Sequence, residues 1–178
     1  SNSMVGRKDK EILTLIAEDK EYGFKMLVEK YQVQVINLAY SLSRDSSLAE
    51  DIAQEVFLKI FKKIDSFQRK SSLSTWIYRI TLNMSYQFLR KRKFSLFSPK
   101  KYSFSPEDTQ EKKEIINIGL SRLPLKYRIV IILKDLQGLS YKEIARILNC
   151  SMGTVESRLF RARILLKKIL TPLIKEGL

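Results

Sequence analysis

The chain of 178 residues contains one cysteine, Cys150, and no histidine. One thiol cannot close an intrachain disulfide, and without imidazole the zinc-finger ligand sets and histidine acid-base chemistry are excluded as well. Glycine is scarce, with six scattered residues and no G-x-x-x-x-G-K phosphate loop. No apolar run approaches the roughly 20 residues that cross a bilayer, and no signal-peptide core stands near the start. Runs of alternating apolar and polar residues, the mark of a half-buried strand, are also missing. Acidic pairs occur only on charged helical faces, away from anything resembling a pocket. The sequence predicts no enzyme, metal, cofactor, small-molecule substrate or membrane insertion, and a cytoplasmic location. Ser1-Asn2-Ser3 ahead of Met4 reads as a cleavage remnant outside the fold.

What is abundant is positive charge and helical periodicity. A net charge of +14 favours a polyanionic partner, although charge alone does not separate DNA, RNA and acidic membrane. Residues 4–93 carry 17 basic and 11 acidic residues, net +6, and residues 112–178 carry 14 and 5, net +9. Between them, residues 94–111 contain two prolines, four serines and no sustained period, and so read as a linker. At its end Ser105-Pro106-Glu107-Asp108 supplies a cap residue, a proline for the first helical position and acids for the first turn, predicting a helix start. The expected fold is all-α: two small helical domains, 4–93 and 112–178, joined by that linker.

The second domain contains a helix-turn-helix. Ser140 and Glu143 form an S-x-x-E capping box, and Ile144, Ala145 and Leu148 give the first helix an apolar stripe. Asn149 ends it in a position suited to left-handed backbone, and Ser151 is placed to cap the second helix. On that helix Val155, Leu159 and Ala162 share one arc, with Ser157, Phe160 and Arg161 opposite. A hydroxyl, an aromatic ring and a guanidinium can serve base edges in a major groove. Thr154, Arg158 and Arg163 flank this face and suit phosphate contacts. Glu156 sits beside it, able either to accept from a cytosine amino group or to repel a wrong phosphate register.

The first domain presents two surfaces. Ser47-Leu48-Ala49-Glu50 reads as a second capping box opening a helix to about Ile64. Its core face is Ile52, Val56, Ile60 and Ile64, with Ala49, Ala53 and Phe57 beside them. Asp51, Gln54, Glu55, Leu58 and Lys62 lie opposite. Solvation explains the charges, but Leu58 among them hints at a protein partner. A polar, basic segment from Asp65 to Ser74, with Phe67, Arg69 and Lys70, then leads into a helix from about Thr75 to Lys93. There Ile77, Ile80, Met84 and Phe88 point one way. Trp76, Arg79, Asn83, Tyr86, Gln87 and Arg90 form an aromatic, amide and arginine stripe suited to stacking on unpaired bases and holding their backbone. Two placements of Trp76 are open, outward in the stripe or inward as core.

Taken together, Ala49-Glu50-Asp51-Ile52-Ala53-Gln54-Glu55-Val56-Phe57-Leu58, Ser74-Thr75-Trp76-Ile77-Tyr78-Arg79-Ile80 with Asn83, Leu123-Pro124 with Tyr127-Arg128, and the helix-turn-helix resemble the bacterial sigma factors, most nearly their compact extracytoplasmic-function branch. The resemblance runs in order from about Gly23 to Leu170. It implies a promoter-specificity subunit of RNA polymerase. By that resemblance Asp51, Gln54, Glu55 and Leu58 dock on the coiled coil of the polymerase clamp. The loop from Asp65 to Ser74 and the helix through Asn83 capture melted minus-ten bases, and the second helix of the helix-turn-helix reads the minus-35 duplex. The linker threads toward the active-site channel, and an anti-sigma factor is an implied partner. Three positions depart from the pattern. Ile77 stands where housekeeping members carry a second aromatic, Gln87 where many relatives have Asp, and Glu156 where many have a basic residue. The alternative reading is an operator-binding regulator that acts without polymerase.

Overall fold

In a computed structural model of the protein, the structure describes residues 8–95 and 108–176. The chain divides into two compact units, Ser1–Arg92 and Lys93–Leu178. Every regular element among the described residues is helical. The first unit comprises α1 (Asp9–Glu18), α2 (Lys20–Ser43), α3 (Ser46–Lys63), a 3₁₀ turn at Ile64–Ser66, and α4 (Leu73–Ser95). The second comprises α5 (Asp108–Arg122), α6 (Leu125–Ile131), a π-turn at Ile132–Leu136, α7 (Tyr141–Leu148) and α8 (Met152–Glu176). The ends of the segment read as linker, residues 94–95 and 108–111, are thus helical. The expected helix start at Ser105-Pro106 lies outside the described residues.

The helix boundaries follow local chemistry. Asp19, extended at φ −144°, accepts from the Tyr22 backbone N–H at 3.1 Å and so separates α1 from α2. Between α2 and α3 the turn is just Arg44, left-handed at φ 55°, and Asp45. The cap of α3 differs from the sequence expectation. Asp45, and not Ser47, accepts from the Leu48 N–H at 3.0 Å, so the helix begins at Ser46. Once Arg44 has reversed the chain, Asp45 is the first extended residue, and its carboxylate also pairs with Arg92 at 3.3 Å. At the start of α4 the Ser72 hydroxyl accepts from the Thr75 N–H at 3.1 Å, placing the helix start at Leu73, about half a turn earlier than the sequence suggests. In the second unit the Arg128 guanidinium donates to the carbonyls of Ser121 (2.8 Å) and Leu123 (3.0 Å), satisfying acceptors freed at the end of α5.

Each unit buries its own core. Ile12, Leu27, Val35, Ile52, Val56 and Ile60 from α1 to α3 enclose Leu73, Ile77, Ile80 and Met84 of α4. In the second unit Leu120, Leu123, Val130 and Ile131 close on Leu159 and Ala162 of α8. The helix α1 is fastened to α2 by Asp9, whose carboxylate accepts from the Tyr31 hydroxyl and the Lys30 ammonium, each at 2.6 Å. Burial, reinforced by the hydrogen bond to Asp9, holds the Tyr31 phenol well above its ordinary pKa.

Close approach of α1 to α2 depends on Gly23, where an added Cβ would stand 2.3 Å from the Ile16 backbone nitrogen. Rigid backbone cannot yield as a side chain can. Gly23→Ala is expected to destabilise the first unit by about 2–3 kcal/mol. Gly153→Ala, whose nearest neighbour would be the Ser151 hydroxyl at 3.9 Å, should be neutral or stabilising by up to about 1 kcal/mol. Urea denaturation followed by circular dichroism separates the two signs.

Candidate nucleic-acid and partner interfaces

The helix-turn-helix forms as the sequence predicts. The Ser140 hydroxyl accepts from the Glu143 N–H at 3.2 Å while the Glu143 carboxylate accepts from the Ser140 N–H at 2.7 Å. Asn149 is left-handed at φ 52°, and the Cys150 N–H donates to the Ala145 carbonyl at 3.0 Å, which ends α7 and turns the chain. The Ser151 hydroxyl accepts from the Thr154 N–H at 3.1 Å to start α8. Cys150 is half-buried in the turn.

Burial of Val155, Leu159 and Ala162 sets the rotation of α8 within its unit. Glu156, Ser157, Phe160 and Arg161 are exposed as a consequence. Phe160 is 68% exposed, unusual for a large apolar side chain with a core close at hand. Thr154 and Arg158 are half-buried at the edges. Arg163, expected to contact phosphate, is exposed, and its guanidinium donates to the Asp135 carboxylate of the π-turn at 2.7 Å and 3.4 Å. That bond, the main influence on it, raises its pKa further.

In the first unit, Trp76 takes neither of the two extreme placements. It is half-buried against the core, with its ring 4.9 Å from Phe67 at an interplanar angle of 37°. The pair anchors the base of the loop, in which Arg69 is left-handed at φ 56° and Arg69 and Lys70 are exposed. Along α4, Asn83, Tyr86, Gln87 and Arg90 are exposed and Arg79 is half-buried. The Arg90 guanidinium stands 5.8 Å from the Tyr86 ring centre. These side chains fall on one strip, because the opposite arc is occupied by Ile77, Ile80 and Met84 in the core.

On α3, Asp51, Gln54 and Glu55 are exposed, and Leu58 is 53% exposed. Gln54 and Leu58 border an open groove of about 730 Å³ between α2 and α3, whose apolar lining includes Phe24, Val28, Ile36, Phe57 and Phe61. Sequence reasoning missed the α2 side of this groove. Phe24, Val28 and Ile36 recur on α2 at helical spacing along the groove, an apolar stripe beside the buried one and the signal that could have found it.

The family model described as Sigma-70 region 2 matches residues 27–95, and that described as Sigma-70, region 4 matches residues 119–166. RNA polymerase sigma-H factor of Pseudomonas aeruginosa is 31% identical over 188 residues, spanning 96% of this chain and 97% of that protein. ECF RNA polymerase sigma-E factor of Escherichia coli is 32% identical over 185 residues, spanning 94% and 96%. Among solved structures, CnrH in complex with the cytosolic domain of CnrY superposes with a TM-score of 0.73 at 25% identity, over 91% of this chain and 96% of that one. The sigma factor RpoE in complex with the anti-sigma factor NepR, from Bartonella quintana, superposes with a TM-score of 0.64 at 30% identity, over 83% and 96%.

The capping box makes the second unit sensitive to acid. Hydrogen bonds from Ser140, the backbone N–H foremost, hold the Glu143 carboxyl below its ordinary pKa. The folded value lies below the unfolded one, so this stabilisation is complete above the unfolded pKa and disappears as pH falls through the folded one. Glu143→Gln should lower the melting temperature at neutral pH, with the gap from wild type closing in acid. Ser140→Ala should cost about 1 kcal/mol. Thermal melts across pH 3 to 7 test the carboxylate's role, and a gap independent of pH would contradict it.

Proposed function

The chain belongs to the sigma-70 family of bacterial RNA polymerase sigma factors, in its extracytoplasmic-function branch, and we propose that its two units divide polymerase docking and promoter reading among three helices. As a sigma factor it serves transcription initiation together with RNA polymerase and promoter DNA. Within that role, α8 reads the minus-35 element as duplex. The observation that carries this reading is Phe160, 68% exposed between Ser157 and Arg161 on the second helix of a helix-turn-helix. A ring left in water at that place is suited to a thymine methyl, with Arg161 beside it for guanine and Ser157 adaptable to either strand. Arg158 and Thr154 contact phosphate, and Glu156 tunes which bases are accepted.

The loop from Asp65 to Ser74 and the strip along α4 bind the melted minus-ten element. Phe67 and Trp76 brace the loop, Arg69 and Lys70 hold the backbone, and Arg79, Asn83, Tyr86, Gln87 and Arg90 receive unpaired bases. Stacking and capture favour the open strand without any catalytic group. This chain supplies no nucleotide chemistry, which belongs to polymerase, and it acts in the cytoplasm, where both its partners reside. A net charge of +14 draws it to DNA through released counterions.

The exposed face of Asp51, Gln54, Glu55 and Leu58, continuous with the α2–α3 groove, docks on core polymerase. Its acidic rim and apolar centre suit a basic amphipathic helix pair. An anti-sigma factor restrains the chain by covering such surfaces, a reading supported by the likeness to RpoE seen bound to NepR.

Run-off transcription with purified core polymerase on randomised promoters tests the whole assignment. Discrete starts that require the protein are expected, whereas tight duplex binding without polymerase and no initiation would favour an operator-binding regulator. Within that assay Arg161→Ala should reduce transcription about tenfold from promoters with an intact upstream element and little from others, since a bidentate base contact contributes roughly 1–3 kcal/mol. Asn83→Ala should instead impair strand opening, read by permanganate reactivity.

Replacing Gln54 and Leu58 together by Ala should weaken core binding at least tenfold while leaving the helical circular dichroism unchanged, since exposed groups on α3 carry little of the fold. Unaltered core affinity would show that polymerase docks elsewhere.

A further inference from the structure

Asp135 lies in a stretch of backbone that departs from the α-helical period. The Gln137 N–H reaches back to the Ile132 carbonyl at 2.9 Å and the Leu139 N–H to the Leu133 carbonyl at 3.0 Å. Wider turns of this kind displace side chains from their helical positions and often mark functional places. Gly138, left-handed at φ 68°, then redirects the chain toward α7. The Lys134 ammonium turns back over the Tyr141 ring, 4.9 Å from its centre, and reaches the Leu139 carbonyl at 3.4 Å. The Asp135 carboxylate takes two donors of Arg163, which also neighbours Tyr141.

Arg163 follows the buried Ala162, two residues beyond Arg161. The apolar seat of α8, formed by Val155, Leu159 and Ala162, sets which arc faces inward, but apolar contact is non-directional and leaves the fine roll of the helix to directional bonds. A guanidinium held at two points by a carboxylate is directional. We propose that Arg163 is a positioning residue for promoter recognition: with Asp135 it fixes the roll of α8 on the π-turn, so that Ser157, Phe160 and Arg161 meet base edges, and it does not itself hold phosphate. The proposal rests on the reading of α8 as the minus-35 helix.

The test uses holoenzyme reconstituted from this chain and core polymerase. Promoter affinity is measured over a range of salt, on templates with the upstream element intact or randomised. A phosphate contact and a positioning pair predict opposite signs for Asp135→Asn. Removing a negative charge, and with it a competitor for Arg163, should strengthen DNA binding if Arg163 serves phosphate. If the pair sets the roll of α8, Asp135→Asn should weaken binding about twofold to fivefold, as should Arg163→Gln, the range expected for a partly exposed ion pair. Both losses should vanish when the upstream element is randomised, and the salt dependence should keep its wild-type slope. Exchanging the charges, D135R with R163D, should recover affinity to within about twofold of wild type.

Tighter binding by Asp135→Asn, or a slope reduced by about one counterion in Arg163→Gln, would overturn the proposal in favour of a phosphate contact. Equal loss on both templates would overturn it in favour of a general folding defect, which thermal melts would register. Arg161→Ala serves as the separate check on α8. Should it also lose nothing specific to the upstream element, the reading of the helix itself fails, and not only the role of the pair.

Discussion

Val155, Leu159 and Ala162 are buried, the last two against Leu120, Leu123, Val130 and Ile131, and this apolar seat governs which face of α8 the second unit presents. A helix seated along one arc must present the opposite arc to solvent. Seating these three therefore presents Glu156, Ser157, Phe160 and Arg161 together. The burial is hydrophobic in origin and needs no ligand, so this exposed arc is formed in the free chain. On the reading proposed for α8, little ordering free energy is then spent on binding, and specificity rests on groups already held in place.

The same constraint shapes the first unit, where α4 serves the core with Ile77, Ile80 and Met84 and leaves a polar, aromatic strip outside. The loop before it is held by the Phe67 and Trp76 rings and by the Ser72 cap, a rigid base for exposed cations. On α3 the division is equally sharp, with Ile52, Val56 and Ile60 inside and Asp51, Gln54 and Glu55 outside. The three roles proposed for α4, α8 and α3 thus rest on one architectural device with different outer chemistry.

Much of this was legible in the residues. The capping box of Ser140 and Glu143, the left-handed Asn149 and the cap at Ser151 are short-range signals, decided within four residues of chain. The division of α8 and α3 into inner and outer arcs also followed, because a period of 3.6 makes a helix's buried face readable without its neighbours. The start of α3 was misplaced, since Ser47 and Asp45 are both good caps. What chose between them is the reversal at Arg44, a backbone event with no strong signature in a non-glycine residue. Trp76 could not be assigned, because its half-burial depends on Phe67, nine positions away across an irregular loop.

Two further features required distant parts of the chain to meet. The α2 side of the groove beside Leu58 exists only where two helices fail to cover each other completely. The pairing of Arg163 with Asp135 joins residues 28 apart through a π-turn that no periodicity announces. The sequence by itself determined the helix-turn-helix with its caps, the faces that α3, α4 and α8 bury and the family to which the chain belongs, because these depend on neighbours within a turn or two and on ordered motifs. Only the tertiary structure decided which exposed cation is already engaged, which aromatic rings brace one another and where an apolar surface stays open. Those outcomes depend on distances between side chains that the chain brings together only by folding.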